Sequence, residues 1–300
     1  MHVAVSGSSG LIGSALVRAL GAGGHRASRL VRGPASGGDA IGWDPAAGVR
    51  DTARLEGLEA VVHLAGENIG AGRWTERRKA EIRRSRVEGT QRLCEGLARL
   101  ATRPGVLVSA SAVGFYGDRG DEALLEESPA GNDFLAGVCR DWEAATEPAA
   151  RAGIRVVRLR FGVVLSPAGG ALQKMLLPFR LGAGGRIGSG RQHMSWIALD
   201  DAVGAIHHAL VTGSLAGPVN AVAPSPVTNA EFTRALARAL RRPAIAPLPA
   251  FAARLAFGEM ADALLLASQR VLPGRLQASG YTFRFPDLEG ALRHLLGRTG

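Results

Sequence analysis

The sequence predicts an α/β fold in which a doubly wound parallel sheet is accompanied by a smaller, mainly helical C-terminal lobe. Three observations favour this fold: a strand-like start that runs into a glycine-rich turn, a regular alternation of short apolar runs with longer helical segments, and the end of that alternation after Val164. Parallel neighbours need crossover connections, which are usually helices, so this alternation is typical of a doubly wound sheet.

Short apolar runs mark the strands, and segments with helical periodicity separate them. The runs occupy residues 2–6, 26–31, 40–43, 60–64, 106–109 and 155–159, and the helical segments occupy 13–20, 74–101 and 134–152. A short apolar run bounded by turn residues predicts a buried strand, whereas apolar residues three or four apart predict a helix. We therefore expect a sheet of at least six strands with helices packed on it.

The second part of the chain departs from this alternation. Asp200 and Asp201 are interpreted as an N-cap pair for the first helix that returns to the sheet. The expected elements are a Gly- and Pro-rich stretch over 166–190, a helix over 201–211, a strand over 219–222, a helix over 229–240, a linker over 243–249, and further helices beyond it. The sheet domain is expected to span 1–165, rejoined by 200–223, and the second lobe to span 166–199 and 224–300.

Composition argues against several classes of protein. The formal net charge is +10, but nearly all of the basic residues are arginines scattered along the chain, with Lys79 and Lys174 as the only lysines. Such scatter is typical of composition bias, so we expect no nucleic-acid partner. No apolar run reaches the roughly 18 residues of a membrane span, and no signal pattern precedes the first strand, so we expect a cytoplasmic protein without a membrane partner. Cys94 and Cys139 lack metal-ligand spacing, which favours reduced thiols and no metal site.

A glycine motif lies where the first strand ends and the first helix begins. Gly7, Gly10 and Gly13 follow the spacing Gly-Ser-Ser-Gly-Leu-Ile-Gly, with Leu11 and Ile12 opening the helix. In a dinucleotide site one such glycine makes the tight turn, one admits the diphosphate, and one lets helix and strand approach closely. The motif predicts a Rossmann-type site, and the alternative is a glycine turn that binds nothing.

The end of the second strand indicates which dinucleotide is preferred. NAD sites usually carry Asp or Glu there, which accepts hydrogen bonds from the ribose hydroxyls, but here the strand ends in Val31-Arg32. The guanidinium of Arg32 can pair with a 2′-phosphate, which favours NADP(H) as the cofactor. The alternative is an exposed arginine in an arginine-rich chain. Gly66 follows the fourth strand and has no side chain, so the backbone there can lie close to the cofactor ribose.

Further segments are typical of one family. They are Leu64-Ala65-Gly66-Glu67-Asn68-Ile69, Arg73-Trp74, Ser85-Arg86, Trp142-Glu143, Gly162-Val163-Val164-Leu165, Gly169-Gly170-Ala171 and Ser195-Trp196-Ile197. With the glycine motif, the chain resembles the NAD-dependent epimerase/dehydratase branch of the extended short-chain dehydrogenases, and within it an atypical group of epimerase family proteins with a helical C-terminal domain.

The resemblance implies an NADP-binding fold. It places Val31-Arg32 at the adenosine phosphate, Leu64-Ala65 along the ribose and diphosphate, and Glu81 and Arg86 on the cofactor side of the long helix. The alternative for the last two residues is a surface pair on that helix. The resemblance also implies that the second lobe supplies the substrate side of the site, with His193 and Trp196 near the pocket. The alternative for Trp196 is a tryptophan of the apolar core.

The catalytic dyad of the family is missing. Ordinary members use Tyr-x-x-x-Lys, whereas the matching segment here carries Phe134 and Val138, which can neither exchange a proton nor supply a cation. Ser111 and Tyr116, near the end of the fifth strand, are the candidate catalytic residues. The alternative for Ser111 is a strand-end hydroxyl that hydrogen-bonds to backbone groups. The alternative for Tyr116 is a half-buried aromatic ring without a catalytic role.

These expectations define two candidate functions. The first is an NADP(H)-dependent oxidoreductase or epimerase-like enzyme that acts on an unknown small carbonyl or hydroxyl substrate, because the cofactor brings hydride chemistry with it. The second is a non-catalytic NADPH-binding sensor or regulatory protein. In either case a monomer or a homodimer is expected.

Overall fold

The computed structural model describes residues 1–33 and 38–297. Its strands are β1 His2–Ser6, β2 Arg26–Arg32, β3 Ala40–Asp44, β4 Gly48–Val49, β5 Ala60–His63, β6 Val106–Ala112, β7 Ala123–Leu124, β8 Arg155–Phe161, β9 Val163–Leu165, β10 His193–Met194, β11 Trp196–Ala198, β12 Gly217–Ala221, β13 Val227–Thr228 and β14 Arg270–Val271. Its helices are α1 Leu11–Ala22, α2 Glu76–Ala98, α3 Phe134–Ala144, α4 Glu147–Arg151, α5 Gly170–Arg180, α6 Leu199–Val211, α7 Asn229–Leu240, α8 Ala250–Phe257, α9 Glu259–Ala261, α10 Gly274–Ala278 and α11 Leu288–Leu295.

Eight strands form the main sheet, in the order β12-β8-β6-β5-β1-β2-β3-β4. All pairs are parallel except that of β4 with β3, which is antiparallel. The chain runs outward from β1 through β2 to β3, and then outward on the other side from β5. The order therefore reverses between β1 and β5, which is where doubly wound sheets bind ligands, at the carboxyl ends of the strands. The predicted doubly wound fold is confirmed.

Two apolar cores cover the two faces of this sheet. On one face α1 and α6 pack against the strands through residues such as Leu16 and Ile206. On the other face α2 and α4 pack through residues such as Leu93 and Ala149. Because both faces are covered, the central strands are apolar on both sides, which is why they form continuous apolar runs.

A third apolar core lies in the C-terminal part of the fold. It joins α5, α7 and α11 through Leu172, Phe232 and Leu292, and β11 contributes Trp196. These residues come from both segments that we expected in the second lobe, although the division into two domains stays a prediction. Within residues 1–33 and 38–297, no helix combines the length and the apolar character needed to cross a membrane.

Some elements differ from the sequence expectation. The segment 134–152 is two helices, α3 and α4, because Pro148 fits only the first turn of a new helix. The Gly- and Pro-rich stretch contains a full helix, α5, which starts after Gly169 and includes Pro178. The two-residue edge strand β4 is too short to leave an apolar pattern in the sequence.

The interpretation of Asp200 and Asp201 as an N-cap pair was wrong. Helix α6 begins at Leu199, with Ala198 at the N-cap, so both aspartates lie inside the first turn. Asp201 is fully buried, and its carboxylate accepts hydrogen bonds from the Tyr281 hydroxyl at 3.1 Å and from the Arg284 and Phe285 amides at 2.8 and 2.9 Å. It therefore attaches the C-terminal segment to helix α6.

Candidate dinucleotide-binding site

The glycine turn after β1 leaves no room for side chains. Gly7 has a φ of +65°, and a Cβ atom there would lie 2.8 Å from the carbonyl carbon of Leu64. A Cβ atom on Gly13 would lie 2.2 Å from the Gly7 carbonyl oxygen. The Gly10 amide donates to that same oxygen at 2.9 Å, and no side chain caps the first turn of α1. The helix therefore presents uncapped backbone N–H groups and the positive end of its dipole, which suit an anion.

A cleft of about 310 Å³ opens beside this turn. Its lining includes Gly7, Gly10, Leu11, Ile12, Gly13 and Leu64, and adds Ala110, Val163, Val164, Gly170 and Ala171. The structure thus brings together the predicted glycine loop and the backbone after β5. The five added residues were only implied by the family resemblance, or missed altogether, because they come from β6, β9 and α5. Their small size and apolar character leave no local chemical signal in the sequence.

A larger cavity, of about 590 Å³, shares no lining residue with this cleft. It is lined by Pro167, Arg180, Leu240, Arg241, Arg242, Leu295 and Leu296. Helices α5, α7 and α11 all end there, so their negative dipole ends face the same space as the arginines. Because that arrangement already balances the charges, the smaller cleft at the sheet switch point is the better candidate.

Arg32 and Glu67 form an ion pair beside the glycine turn. Arg32 ends β2, next to the half-buried Val31, and its Nη1 lies 3.6 Å from Oε1 of Glu67, which follows β5. Strands β2 and β5 flank β1 on opposite sides, so the pair crosses over the carboxyl end of β1. The side chain of Arg32 is 77% exposed, and it is therefore free to meet a ligand.

The predicted residues of α2 lie behind this pair. Glu81 Oε2 accepts from Arg78 Nη1 at 3.2 Å, so its carboxylate is already paired. The guanidinium carbon of Arg86 lies 5.1 Å from the centre of the Trp142 ring, and a Cβ atom on Gly66 would lie 3.3 Å from that carbon. Burial lowers the pKa of Arg86 from its usual value. The guanidinium of Arg86 thus packs against the backbone of Gly66.

A buried chain of polar groups ties the ends of β1 and β5 together. Ser6 Oγ lies 2.7 Å from Nδ1 of His63, whose Nε2 lies 3.0 Å from Thr90 Oγ1. The Leu64 amide donates to Ser6 Oγ at 3.1 Å, and Trp142 Nε1 donates to Thr90 Oγ1 at 2.8 Å. Burial lowers the pKa of His63 to about 4, so the ring is neutral near pH 7. The sequence analysis did not predict this network. The available signal was a polar residue at the end of each of two strands, Ser6 in β1 and His63 in β5.

Ser111 and Tyr116 belong to one buried network centred on an ion pair. Arg160 donates to the Glu143 carboxylate through Nε at 2.7 Å and Nη2 at 2.9 Å. The Ser111 hydroxyl donates to Glu143 Oε1 at 2.8 Å. The Tyr116 hydroxyl accepts from Arg160 Nη1 at 2.9 Å and donates to Asn220 Oδ1 at 2.7 Å. Burial raises the pKa of Tyr116. The structure brings the two candidates together, but neither side chain lines the cleft.

The positions of the absent dyad are apolar. Phe134 opens α3 and meets the Trp74 ring edge to face, with ring centres 5.4 Å apart, and Val138 is buried. Met260, which follows α8, belongs to the same apolar cluster. Lys79 Nζ lies 5.1 Å from the centre of the Phe134 ring, paired with Glu76 and Glu259. The chain thus covers Phe134 with its own side chains.

His193 and Trp196, which the resemblance places near the pocket, do not line the cleft. Trp196 is fully buried and donates from Nε1 to the Ser225 carbonyl at 3.0 Å. His193 Nδ1 lies 3.4 Å from Oδ1 of Asp121, which precedes β7. These two side chains therefore pack within the C-terminal part of the fold.

The sheet order and the glycine cleft at its switch point define a Rossmann-type dinucleotide-binding protein. Comparison with known families agrees: residues 3–221 match the model of the NAD dependent epimerase/dehydratase family, and residues 248–295 match a domain of unknown function. The chain belongs to the NAD-dependent epimerase/dehydratase family. The resemblance drawn from the sequence motifs is confirmed.

Similar proteins cover the whole chain. Epimerase family protein Mb2239 of Mycobacterium bovis is 46% identical over 298 residues, which are 99% of this chain and 98% of that protein. The crystal structure of human epimerase family protein SDR39U1 with NADPH superposes with a TM-score of 0.92 at 39% identity, covering 100% of both chains. A nucleoside-diphosphate sugar epimerase from Corynebacterium glutamicum gives a TM-score of 0.82 at 43% identity, over 99% of this chain and 58% of that chain.

Proposed function

We propose that this protein binds NADP(H) and is an oxidoreductase or epimerase-like enzyme acting on a small carbonyl or hydroxyl substrate. The observation that carries this proposal is the glycine cradle at the switch point, combined with Arg32 where NAD sites carry a carboxylate. The crystal structure of the human relative with NADPH supports it, since that fold matches this chain from end to end.

The residues present fit such a cofactor. A Cβ atom on Gly7 or Gly13 would fill the turn, so bare backbone and the uncapped start of α1 are left to hold the diphosphate. Val31 and Arg32 would hold the adenosine 2′-phosphate, and Leu64, Ala65 and Gly66 would follow the ribose. We assign Glu81 and Arg86 to the same side of the site, where they fix the loop that bears Glu67.

The bound cofactor would supply the hydride chemistry. Val163, Val164 and Ala110 give the cleft an apolar wall, which would limit the access of water to the reacting atoms of a bound cofactor. Lys174, on α5, donates from Nζ to the Gly70 carbonyl at 2.7 Å. It connects α5 with the loop after β5.

Ser111 and Tyr116 remain the candidates for substrate contact, in limited roles. The Ser111 hydroxyl proton points at Glu143, which leaves oxygen lone pairs without a proton. A substrate hydroxyl would donate to them only after a local opening, because Ser111 is buried beside the cleft-lining residue Ala110. The Tyr116 hydroxyl is fully buried, and a raised pKa opposes its ionisation. Both groups therefore suit binding and orientation better than rapid proton transfer.

The second candidate function is an NADPH-binding sensor or regulatory protein. One observation favours it: the loop after β5 and the start of α2 both contact the C-terminal segment. Arg73 donates to the carbonyls of Leu255 and Ala256, and Lys79 Nζ lies 3.1 Å from Glu259 Oε2. A change at the cofactor side of this loop would reach the lobe through these contacts. A cytoplasmic location and a monomeric or homodimeric state belong to both versions of the proposal.

Hydride transfer separates the two functions. NADPH binding is first established by calorimetry. NADPH oxidation is then followed by the loss of absorbance at about 340 nm with a panel of small aldehydes, ketones and sugar nucleotides. Turnover of any substrate that is lost in Ser111→Ala supports the enzyme. Tight NADPH binding without turnover of any substrate, together with a partner protein whose affinity depends on NADPH, supports the sensor.

A further inference from the structure

We propose that Glu67 limits the preference of this site for NADPH over NADH, as an internal counter-anion that competes with the 2′-phosphate of NADPH for Arg32. This inference rests on the proposed function, because it concerns the same phosphate contact. The residue supplies, from the loop after β5, the carboxylate that NAD sites carry at the end of the second strand. Glu67 therefore weakens the binding of NADPH, and it reduces the preference of the site for NADPH over NADH.

The pairing register of the strands brings the side chains of Arg32 and Glu67 together over the carboxyl end of β1. Ser6 of β1 lies beside Leu30 of β2 and His63 of β5. Arg32 follows two residues after Leu30, and Glu67 follows four residues after His63. Their ion pair of 3.6 Å thus spans the carboxyl end of β1, directly where the chain turns into the glycine loop.

Glu67 is held in place from the side of α2. Its amide donates to Ser85 Oγ at 3.1 Å, and its Oε2 lies 3.4 Å from Arg78 Nη1. Arg78 in turn donates from Nη2 to the Asn68 carbonyl at 2.6 Å. When Arg32 turns toward a phosphate, Glu67 keeps Arg78 as a partner. The carboxylate therefore remains beside the phosphate instead of moving away with Arg32.

Among the residues that the structure describes, Arg32 has no such second ion-pair partner. Across residues 1–33 and 38–297, Glu67 is the only carboxylate within 4.0 Å of its guanidinium. A 2′-phosphate carries roughly −1.5 to −2 charges, so it attracts Arg32 more strongly than one carboxylate does. The same phosphate is repelled by Glu67 at close range. Since the side chain of Glu67 is 37% exposed, water and salt screen this repulsion and keep it moderate.

NADH responds differently to the same carboxylate. Its 2′-hydroxyl is neutral and can donate a hydrogen bond to Glu67, as it does to the carboxylate of an ordinary NAD site. Removing the charge of Glu67 therefore favours NADPH without favouring NADH. This difference in sign distinguishes a specificity role from a general loosening of the loop, which would change the affinity for both cofactors in the same direction.

The test is a fluorescence titration of NADPH and NADH with the wild type, Glu67→Gln, Arg32→Ala and the double variant. We expect Glu67→Gln to lower the Kd for NADPH by about threefold to tenfold and to leave the Kd for NADH unchanged or raised. The gain should disappear in the Arg32→Ala background and shrink at high salt. Glu76→Gln is the matched control, because Glu76 is 92% exposed nearby and pairs with Lys79 instead.

Two kinds of result would overturn the inference. If Glu67→Gln leaves the NADPH affinity unchanged or weakens it, or if its gain persists without Arg32, Glu67 does not compete for that arginine. Should Glu67→Gln fold poorly by circular dichroism, Glu67→Asp tests the same point, because the shorter side chain draws the charge away from Arg32. It should give a smaller gain for NADPH, and no gain counts against the proposal. Failure of the 2′-phosphate assignment itself would look different: equal affinities for NADPH and NADH in the wild type, with no effect of Arg32→Ala.

Discussion

Ser6 Oγ and His63 Nδ1 lie 2.7 Å apart in a fully buried position, so that a hydrogen bond joins the ends of β1 and β5 at the point where the strand order reverses. The glycine turn starts at the next residue after Ser6, and the ribose-side backbone starts at the next residue after His63. This bond therefore reinforces the pairing of β1 with β5 at the point where the two backbone segments of the cleft begin.

The buried His63 predicts a dependence of stability on pH. Its pKa is about 4 in the folded state and about 6.5 when unfolded, so the unfolded chain binds more protons between these values. The stability that depends on a neutral His63 is fully present above about pH 6.5. It is lost as the pH falls toward about 4, and the total loss in the free energy of unfolding is roughly 3 kcal/mol. Urea unfolding at several pH values measures this. His63→Gln should flatten the profile, whereas His208→Gln, which alters a less buried histidine, should keep most of it. An unchanged slope in His63→Gln contradicts the assignment.

Gly10→Val should abolish dinucleotide binding and leave the fold largely intact. Gly10 has a φ of −73°, which valine adopts, and a Cβ atom there would lie 3.2 Å from the Gly7 carbonyl oxygen, so the turn has to shift only slightly. The residue lines the cleft where the diphosphate would lie. We expect NADPH affinity to fall by at least about a hundredfold, because the added methyl groups occupy the ligand space. Calorimetry measures the binding, and circular dichroism checks the fold. Gly21→Val is the control, since a Cβ atom there meets nothing within 4 Å. Normal binding by Gly10→Val would show that the loop is only a turn.

Glu143→Gln should destabilise the protein by about 3 to 5 kcal/mol, because it leaves the buried Arg160 without its counter-charge. The side chains of the pair are only 8% and 4% exposed. Ser111→Ala removes one hydrogen bond of the same network and should cost about 1 kcal/mol. Denaturant unfolding compares these variants with Glu147→Gln, whose exposed pair with Arg151 should contribute less than about 1 kcal/mol. Similar losses for Glu143→Gln and Glu147→Gln would contradict the buried network.

How far the sequence predicts this molecule depends on the range of the interactions. Helix α7 has the predicted bounds, 229–240, because its capping box between Thr228 and Glu231 lies within one turn. The glycine loop was predicted for the same reason. The pairing of Arg32 with Glu67 was not, because it depends on β5 lying on the far side of β1 from β2. The network around Arg160 likewise joins segments that only the folded sheet brings together.

Turnover on ordinary sugar-nucleotide epimerase substrates should be slow. Phe134 and Val138 replace the groups that move and stabilise the proton, and a positioned acid or base contributes about 10² to 10⁴ in rate. Steady-state assays against a relative that carries the dyad measure the difference. Ser111→Ala and Tyr116→Phe should lower any residual rate. Restoring the dyad with Phe134→Tyr and Val138→Lys should cost stability, because Val138 is buried and lysine there brings an unpaired charge into the core. Fast wild-type turnover that neither Ser111→Ala nor Tyr116→Phe affects would refute the assignment of these residues.

The central claim is that Arg32 selects NADP(H), and a paired titration of NADPH and NADH tests it most directly. The wild type should bind NADPH at least about tenfold more tightly, a difference of roughly 1.4 kcal/mol, and Arg32→Ala should remove this preference. Arg29→Ala, which removes an exposed arginine from the same strand, should retain it. Equal affinities in the wild type, or an undiminished preference for NADPH in Arg32→Ala, would contradict the account.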